Sequence, residues 1–259
     1  MHTYMLSFSY EGADFNGFAR QKEAHVVTVQ ETLEQALATV LRLEALPQTV
    51  CAGRTDAGVH ALMQVLSFDL PGPALDVAQC SQIVRSLNAI TPPSISVKGL
   101  RSVQAGFSAR FDARSREYRY YIFNESRSPV FTKDFTWHVP KKLDLDALQC
   151  AANHLVGEHD FRSFCTSHSA PPEKNTVREI KTIEIFEQNT FGEDLIVIRI
   201  VGTAFLHSMV RIIVGTLQEV ALGKRSPDDI PSILAAQNRN AAGQTAPAQG
   251  LILHHVEYP

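Results

Sequence analysis

Between Thr3 and Val103 the hydrophobic pattern changes from strand to helix and back in the order β-α-β-β-α-β, the order of a split βαβ, or ferredoxin-like, unit. Thr3 to Tyr10 alternates loosely and is rich in aromatic and β-favouring residues, as a first strand requires. Glu11 to Val27, which carries Gly12 and Gly17, reads as a loop. Thr28-Val-Gln-Glu31 then has the spacing of a capping box. Behind it Val29, Leu33, Ala36, Leu37, Val40 and Leu41 recur at helical spacing, which predicts a helix ending near Arg42. Two apolar runs follow, Thr49 to Ala52 and Ala61 to Leu70. A second helix is predicted from about Asp76 to Leu87, before the break at Thr91-Pro-Pro93, and Ile95 to Val103 alternates as a strand.

A second cycle follows. Arg114 to Asn124 is a strongly aromatic strand candidate, and the Trp137 region is another. Asp144 to Leu155 is helical by pattern, Arg178 to Glu187 and Leu195 to Gly202 read as strands, and His207 to Leu222 as a long helix. Ser226-Pro-Asp-Asp opens a short helix, and Leu251 to Tyr258 closes as a strand. The expected fold is α+β, with two ferredoxin-like halves at 1–105 and 106–259 and a mixed or antiparallel sheet. No sequence repeat is visible, so any duplication lies at the level of fold.

A chain of 259 residues can hold two such cores. Its formal net charge of −3 excludes a uniformly basic surface, so an RNA site would have to be a local positive patch. Cys51, Cys80, Cys150 and Cys165 form no C-x-x-C pair, which argues against a zinc site or a disulfide framework and fits buried thiols in a reducing cytosol. No signal segment and no run of about 20 apolar residues is present, so a cytoplasmic protein is expected, with no membrane partner.

Chemistry-bearing residues crowd into Cys51-Ala-Gly-Arg-Thr-Asp-Ala-Gly-Val-His-Ala61. Gly53 and Gly58 have the spacing of a phosphate loop, but Val59-His60 stands where that loop needs Lys followed by Ser or Thr, so nucleotide hydrolysis loses its mechanism. Asp56 has two readings. As a carboxylate with a reference pKa of about 3.9 it can serve as nucleophile or base, with Arg54 fixing its charge. As an Asx-turn it would brace a tight loop. The histidines lack metal-ligand spacing: His154 and His159 are five apart, and His254 and His255 point to opposite faces of a strand. No metal is expected.

Two further stretches carry charge beside apolar residues. If Ala109 to Ile122 is a strand, Arg114, Arg116, Tyr118 and Tyr120 share a face. Cations followed by aromatic rings suit an unpaired base and its phosphates; the plainer reading is an amphipathic strand with Tyr in the core and Arg exposed. In Phe205 to Gly215, Arg211 lies beside a buried stripe of Val210, Ile213, Val214 and Leu217, with Gly215 one turn on leaving space over it.

Together these stretches resemble the TruA family of tRNA pseudouridine synthases. Gly-Arg-Thr-Asp-Ala-Gly-Val-His at 53–60, Arg116-x-Tyr118-x-Tyr120 and Phe205-x-His-x-Met-Val-Arg211 carry the likeness. Weaker agreement runs from Tyr10-x-Gly-x-x-Phe15-x-Gly17 through His159-Asp-Phe161 and Ala246-Pro-x-x-Gly250 to Tyr258-Pro259. The chain departs at Phe18-Ala-Arg-Gln21, where the family carries a large aromatic and then Gln-x-Gln.

The resemblance implies conversion of uridine to pseudouridine at positions 38 to 40 of the tRNA anticodon stem-loop, with no cofactor and with the target base flipped out of its stack. Asp56 would match the essential aspartate, adding covalently or abstracting a sugar proton. Arg54 and Arg211 would be its ionic partners, and Tyr118 would stack on the target base. The likeness also implies a homodimer and a basic cleft for RNA between the two halves, whose local field would outweigh the net charge. The competing reading is a non-catalytic tRNA-binding or RNA-folding protein on the same scaffold.

Overall fold

The computed structural model describes residues 1–23, 25–166, 171 and 173–259. Backbone contacts divide the chain into two compact units, Met1–Arg114 with Leu253–Pro259, and Ser115–Ile252.

The first unit is built on β1 (His2–Tyr10), which alternates as its sequence predicts: Tyr4, Leu6, Phe8 and Tyr10 are buried on one face. β1 lies between β3 (His60–Leu70) and β4 (Ile95–Val103), antiparallel to both, with Leu6 opposite Leu66 on one side and Leu100 on the other. The short β2 (Val50–Cys51) pairs antiparallel with β3. The order β4-β1-β3-β2 is the ferredoxin-like arrangement expected from the element sequence. Along β3 runs also β10 (Leu251–Glu257), most of which belongs to this unit.

Both helices of the unit start where their caps say. Thr28 accepts the Glu31 N–H before α1 (Val29–Leu41), and Asp76 and Gln79 form a reciprocal capping box before α2 (Val77–Ile90). Each such cap contributes about 1 kcal/mol. Leu33 and Leu37, one helical turn apart, are fully buried, and full burial of a leucine is worth roughly 1.5–3 kcal/mol. α1 ends as Arg42 turns left-handed, at φ 52°.

The second unit repeats the scheme. β5 (Ser115–Phe123), α3 (Leu145–Asn153), β7 (Gly157–Asp160), β8 (Val177–Thr190), β9 (Glu193–Gly202) and α4 (Met209–Ala221) follow in sequence, with the strand order β5-β9-β8-β7. β9 is antiparallel to both β5 and β8, so those two run parallel with β9 between them, as the outer strands of a split βαβ unit do. The two-residue β6 (Trp137–His138) pairs parallel with β5 and makes the sheet mixed. α5 (Asp229–Ala235) starts inside the predicted Ser226 region. Tyr121, Phe123, Leu195, Val197 and Ile252 form a buried cluster on one face of this sheet.

The unit boundary differs from the expected division at 105/106 in two respects. Residues 106–114 stay with the first unit because Ala109 donates its N–H to Ser67 Oγ and accepts from the Tyr258 hydroxyl, while Arg114 N–H reaches Glu257 O. The closing residues 253–259 stay there with them. β7 was not anticipated: Gly-Glu-His-Asp has no apolar alternation and becomes a strand through its register with β8, His159 opposite Arg178. Of the four cysteines, Cys80 and Cys165 are buried as expected, whereas Cys51 is half-buried and Cys150 exposed. Among the described residues no helix is long and apolar enough to cross a membrane.

Candidate active site

In the first unit, residues 53–60 connect β2 to β3 as an irregular loop closed by a turn. Val59 N–H donates to Asp56 O at 3.2 Å, and Gly58 at φ 77° supplies the positive φ that a type II turn needs at its third residue. Gly53 plays a different part from the one its spacing suggested. Its φ is not positive, and its carbonyl accepts the Gln64 amide at 2.8 Å.

The loop is braced from inside the unit. Tyr10 and Thr55 share a buried hydroxyl–hydroxyl hydrogen bond of 2.7 Å. Phe18 N–H donates to Thr55 O at 3.1 Å. Gly12 N–H donates to His60 Nδ1 at 3.0 Å, which leaves the proton of a neutral ring on Nε2. Gly12 is required for that approach, since a Cβ there would lie 2.1 Å from the Val59 carbonyl oxygen. Thr55, Val59 and His60 are thus turned into the core, whereas Asp56 is half-buried and Arg54 exposed. The arrangement holds one carboxylate and one guanidinium at the protein surface on a fixed backbone.

In the second unit, Arg116, Tyr118 and Tyr120 do share one face of β5, but all three are buried. Arg116 is not an exposed cation: it donates to Thr203 O at 2.6 Å. Tyr118, 7% exposed, meets the edge of Phe205 at 5.1 Å, which gives Phe205 of the third motif a packing role. Tyr120 is fully buried and donates to Pro247 O at 2.8 Å. Burial pushes its phenol far above the usual range, and nearby Arg211 offsets only part of that rise.

Arg211, half-buried on α4, donates through Nε to Ala246 O at 2.8 Å, and Ala246 N–H returns a bond to Arg211 O at 3.0 Å. The space expected above Gly215 is filled: a Cβ there would lie 1.9 Å from Gln244 O. Gly250 does the same for Tyr120, whose Cζ would be 2.6 Å from an added Cβ. Residues 244–250 therefore clamp Arg211 and Tyr120 together. Among the described residues no cluster of His, Cys, Asp or Glu could hold a metal ion.

A family profile described as tRNA pseudouridine synthase matches residues 6–112 and 151–259. The chain belongs to the tRNA pseudouridine synthase family. These synthases are isomerases. The tRNA pseudouridine synthase A of Bacillus pumilus is 42% identical over 250 residues, 96% of either chain, and that of Bacillus subtilis 40% identical over 252 residues, 97% of either chain. A solved Cbf5–Nop10–Gar1 complex overlaps 83% of this chain and 45% of that chain at a TM-score of 0.34 and 15% identity, too loosely for residue-level comparison. Within this synthase Thr55 was expected to help orient Asp56, whereas the supporting residues Tyr10, Gly12, Gln64 and Phe205 carry no such role in the sequence. Their partners lie far away in sequence, Tyr10 and Thr55 being 45 residues apart, so only the fold brings them together.

Proposed function

We propose that the protein isomerises uridine to pseudouridine at positions 38, 39 and 40 of the tRNA anticodon stem-loop, using Asp56 and no cofactor. The observation that carries this reading is the braced 53–60 loop. Thr55 and His60 are tied inward by Tyr10 and Gly12, and Asp56 is left reachable on a backbone that cannot readily shift.

The reaction conserves atoms. The bond from N1 to the ribose breaks, the base turns, and a bond from C5 to the same ribose carbon forms, while C5 gives up a proton and N1 takes one. Such chemistry needs a positioned carboxylate and stabilisation of transient charge, and no redox group. Asp56 acts on the ribose or the base. Arg54 is the adjacent cation for the carboxylate or a substrate phosphate. Tyr118 and Arg211 are substrate-binding residues of the second unit, the first for the target base and the second for a negatively charged group. A uridine inside the stem must leave its stack to react, so base flipping is part of the reading. The active species is a cytoplasmic homodimer, which sedimentation over a range of concentrations would test.

Asp56→Asn should abolish pseudouridine formation while leaving tRNA binding largely intact. Mapping on transcripts with uridine at each stem-loop position reads both the activity and its reach. Turnover retained in the variant would overturn the role of Asp56. Binding without product in the unsubstituted protein would favour a non-catalytic RNA-binding protein.

A further inference from the structure

The segment that leads into β5 contains a residue that the proposed chemistry does not use. Phe111 is 79% exposed, among the most exposed large apolar side chains of the described residues, yet its backbone is tightly held. Ser108 N–H donates to Asp112 Oδ2 at 2.8 Å, Asp112 N–H to Ser108 O at 3.0 Å, and Phe111 N–H to Ser108 Oγ at 3.4 Å. The turn is pinned to the body of the first unit on both sides of Ala109, by its N–H to Ser67 Oγ at 3.0 Å and by the Tyr258 hydroxyl to its carbonyl at 2.7 Å. Tyr258 is seated in turn against Phe107, ring centroids 5.2 Å apart.

A single exposed phenylalanine is common and by itself means little. This one differs in its setting. Its Cα is fixed by a hydrogen-bonded turn, so no loop entropy must be given up when the ring meets a partner. The Arg110 guanidinium lies over the ring at 5.4 Å from its centroid, and Arg110 and Arg114 are both exposed. The one carboxylate within the turn, Asp112, is engaged by the Ser108 N–H. An aromatic ring on a hydrogen-bonded turn, with Arg110 over it and Arg114 three residues on, combines a stacking surface with cations that suit phosphates, on a protein of net charge −3.

We propose that Phe111 is a stacking platform for an unpaired nucleobase of the tRNA substrate, with Arg110 and Arg114 contacting the adjoining phosphates. This rests on the reading of the protein as a tRNA-modifying enzyme and adds a substrate contact on the first unit. Phe111 holds the RNA and takes no part in bond making.

Steady-state pseudouridine formation on full-length tRNA transcripts tests the proposal. Phe111→Ala should raise KM about tenfold with kcat little changed, in keeping with the loss of one stacked base. Phe111→Tyr should behave as the unsubstituted protein, and Phe111→Leu should fall with the alanine variant. A leucine that restores KM would overturn stacking, as would an unchanged KM in Phe111→Ala.

Phe111→Trp gives a direct signal. Trp137 is the chain's one tryptophan, so the unsubstituted protein supplies the background. Titration with tRNA should quench the new emission saturably. Normal catalysis by the Phe111→Trp variant, with its added emission unmoved by tRNA, would overturn the platform and leave the function standing. Absence of pseudouridine formation by the unsubstituted protein would remove the function, and the platform with it.

Discussion

Glu193, at the start of β9, is a heavily hydrogen-bonded carboxylate. Its oxygens accept N–H groups from Val130, Phe131 and Thr132 at 2.7, 3.3 and 3.0 Å, and the Thr132 hydroxyl at 2.6 Å. The Thr132 hydroxyl, then the Val130 N–H, outweigh the opposing effect of burial and hold its pKa at about 2 instead of 4.5. A carboxylate whose pKa falls on folding stabilises the protein above its unfolded value, and that stabilisation disappears as pH drops through the folded value. The unfolding midpoint in urea should therefore separate wild type from Glu193→Gln at neutral pH, and the gap should close between pH 4.5 and about 2. A gap of constant size across that range would show that the charge of Glu193 is irrelevant. Nothing in the local sequence announces this role, because its partners lie more than 60 residues earlier. The loop around Asp56 stands out more in the sequence: glycine, charge and apolar flanks occur together within one short stretch. Arg116 was misleading, since period-2 spacing assigns a residue to a face without saying which face is buried.

At the level of elements, legibility followed hydrophobic period and caps. β1, α1, α2 and β4 each run for nine or more residues and appear close to where they are expected. β7 has four residues and no pattern, and only pairing with β8 defines it. α4 shows how tertiary contact overrides propensity. Replacing Gly215 by alanine would by itself favour the helix by about 1 kcal/mol. The added Cβ, however, would fall 1.9 Å from a backbone oxygen of Gln244, in the segment that holds Arg211 through Ala246. Overpacking of this kind costs about 1–3 kcal/mol, so the clash wins. Gly215→Ala should lower stability in chemical denaturation, and it should weaken tRNA binding as well if Arg211 meets the substrate. Unchanged stability would mean that residues 244–246 yield without cost.

For the whole molecule, charge and chain path matter more than any single contact. A protein of net charge −3 that binds tRNA must do so through few, localised cations, and each phosphate neutralised releases counterions. The logarithm of the tRNA association constant should fall with the logarithm of salt concentration at a slope steeper than about −3, corresponding to roughly four or more phosphates. A flat dependence would point to recognition through bases alone. The closing strand carries a separate consequence, for the order of events during synthesis. β10 starts at the end of the second unit, and Leu253–Pro259 belong to the first. The ribosome thus delivers the Asp56-bearing unit in two pieces, separated in time by the whole of its neighbour. Until the second piece emerges, β3 waits with part of its edge open, a template for wrong pairing in a crowded cell. The unit made first is the one finished last.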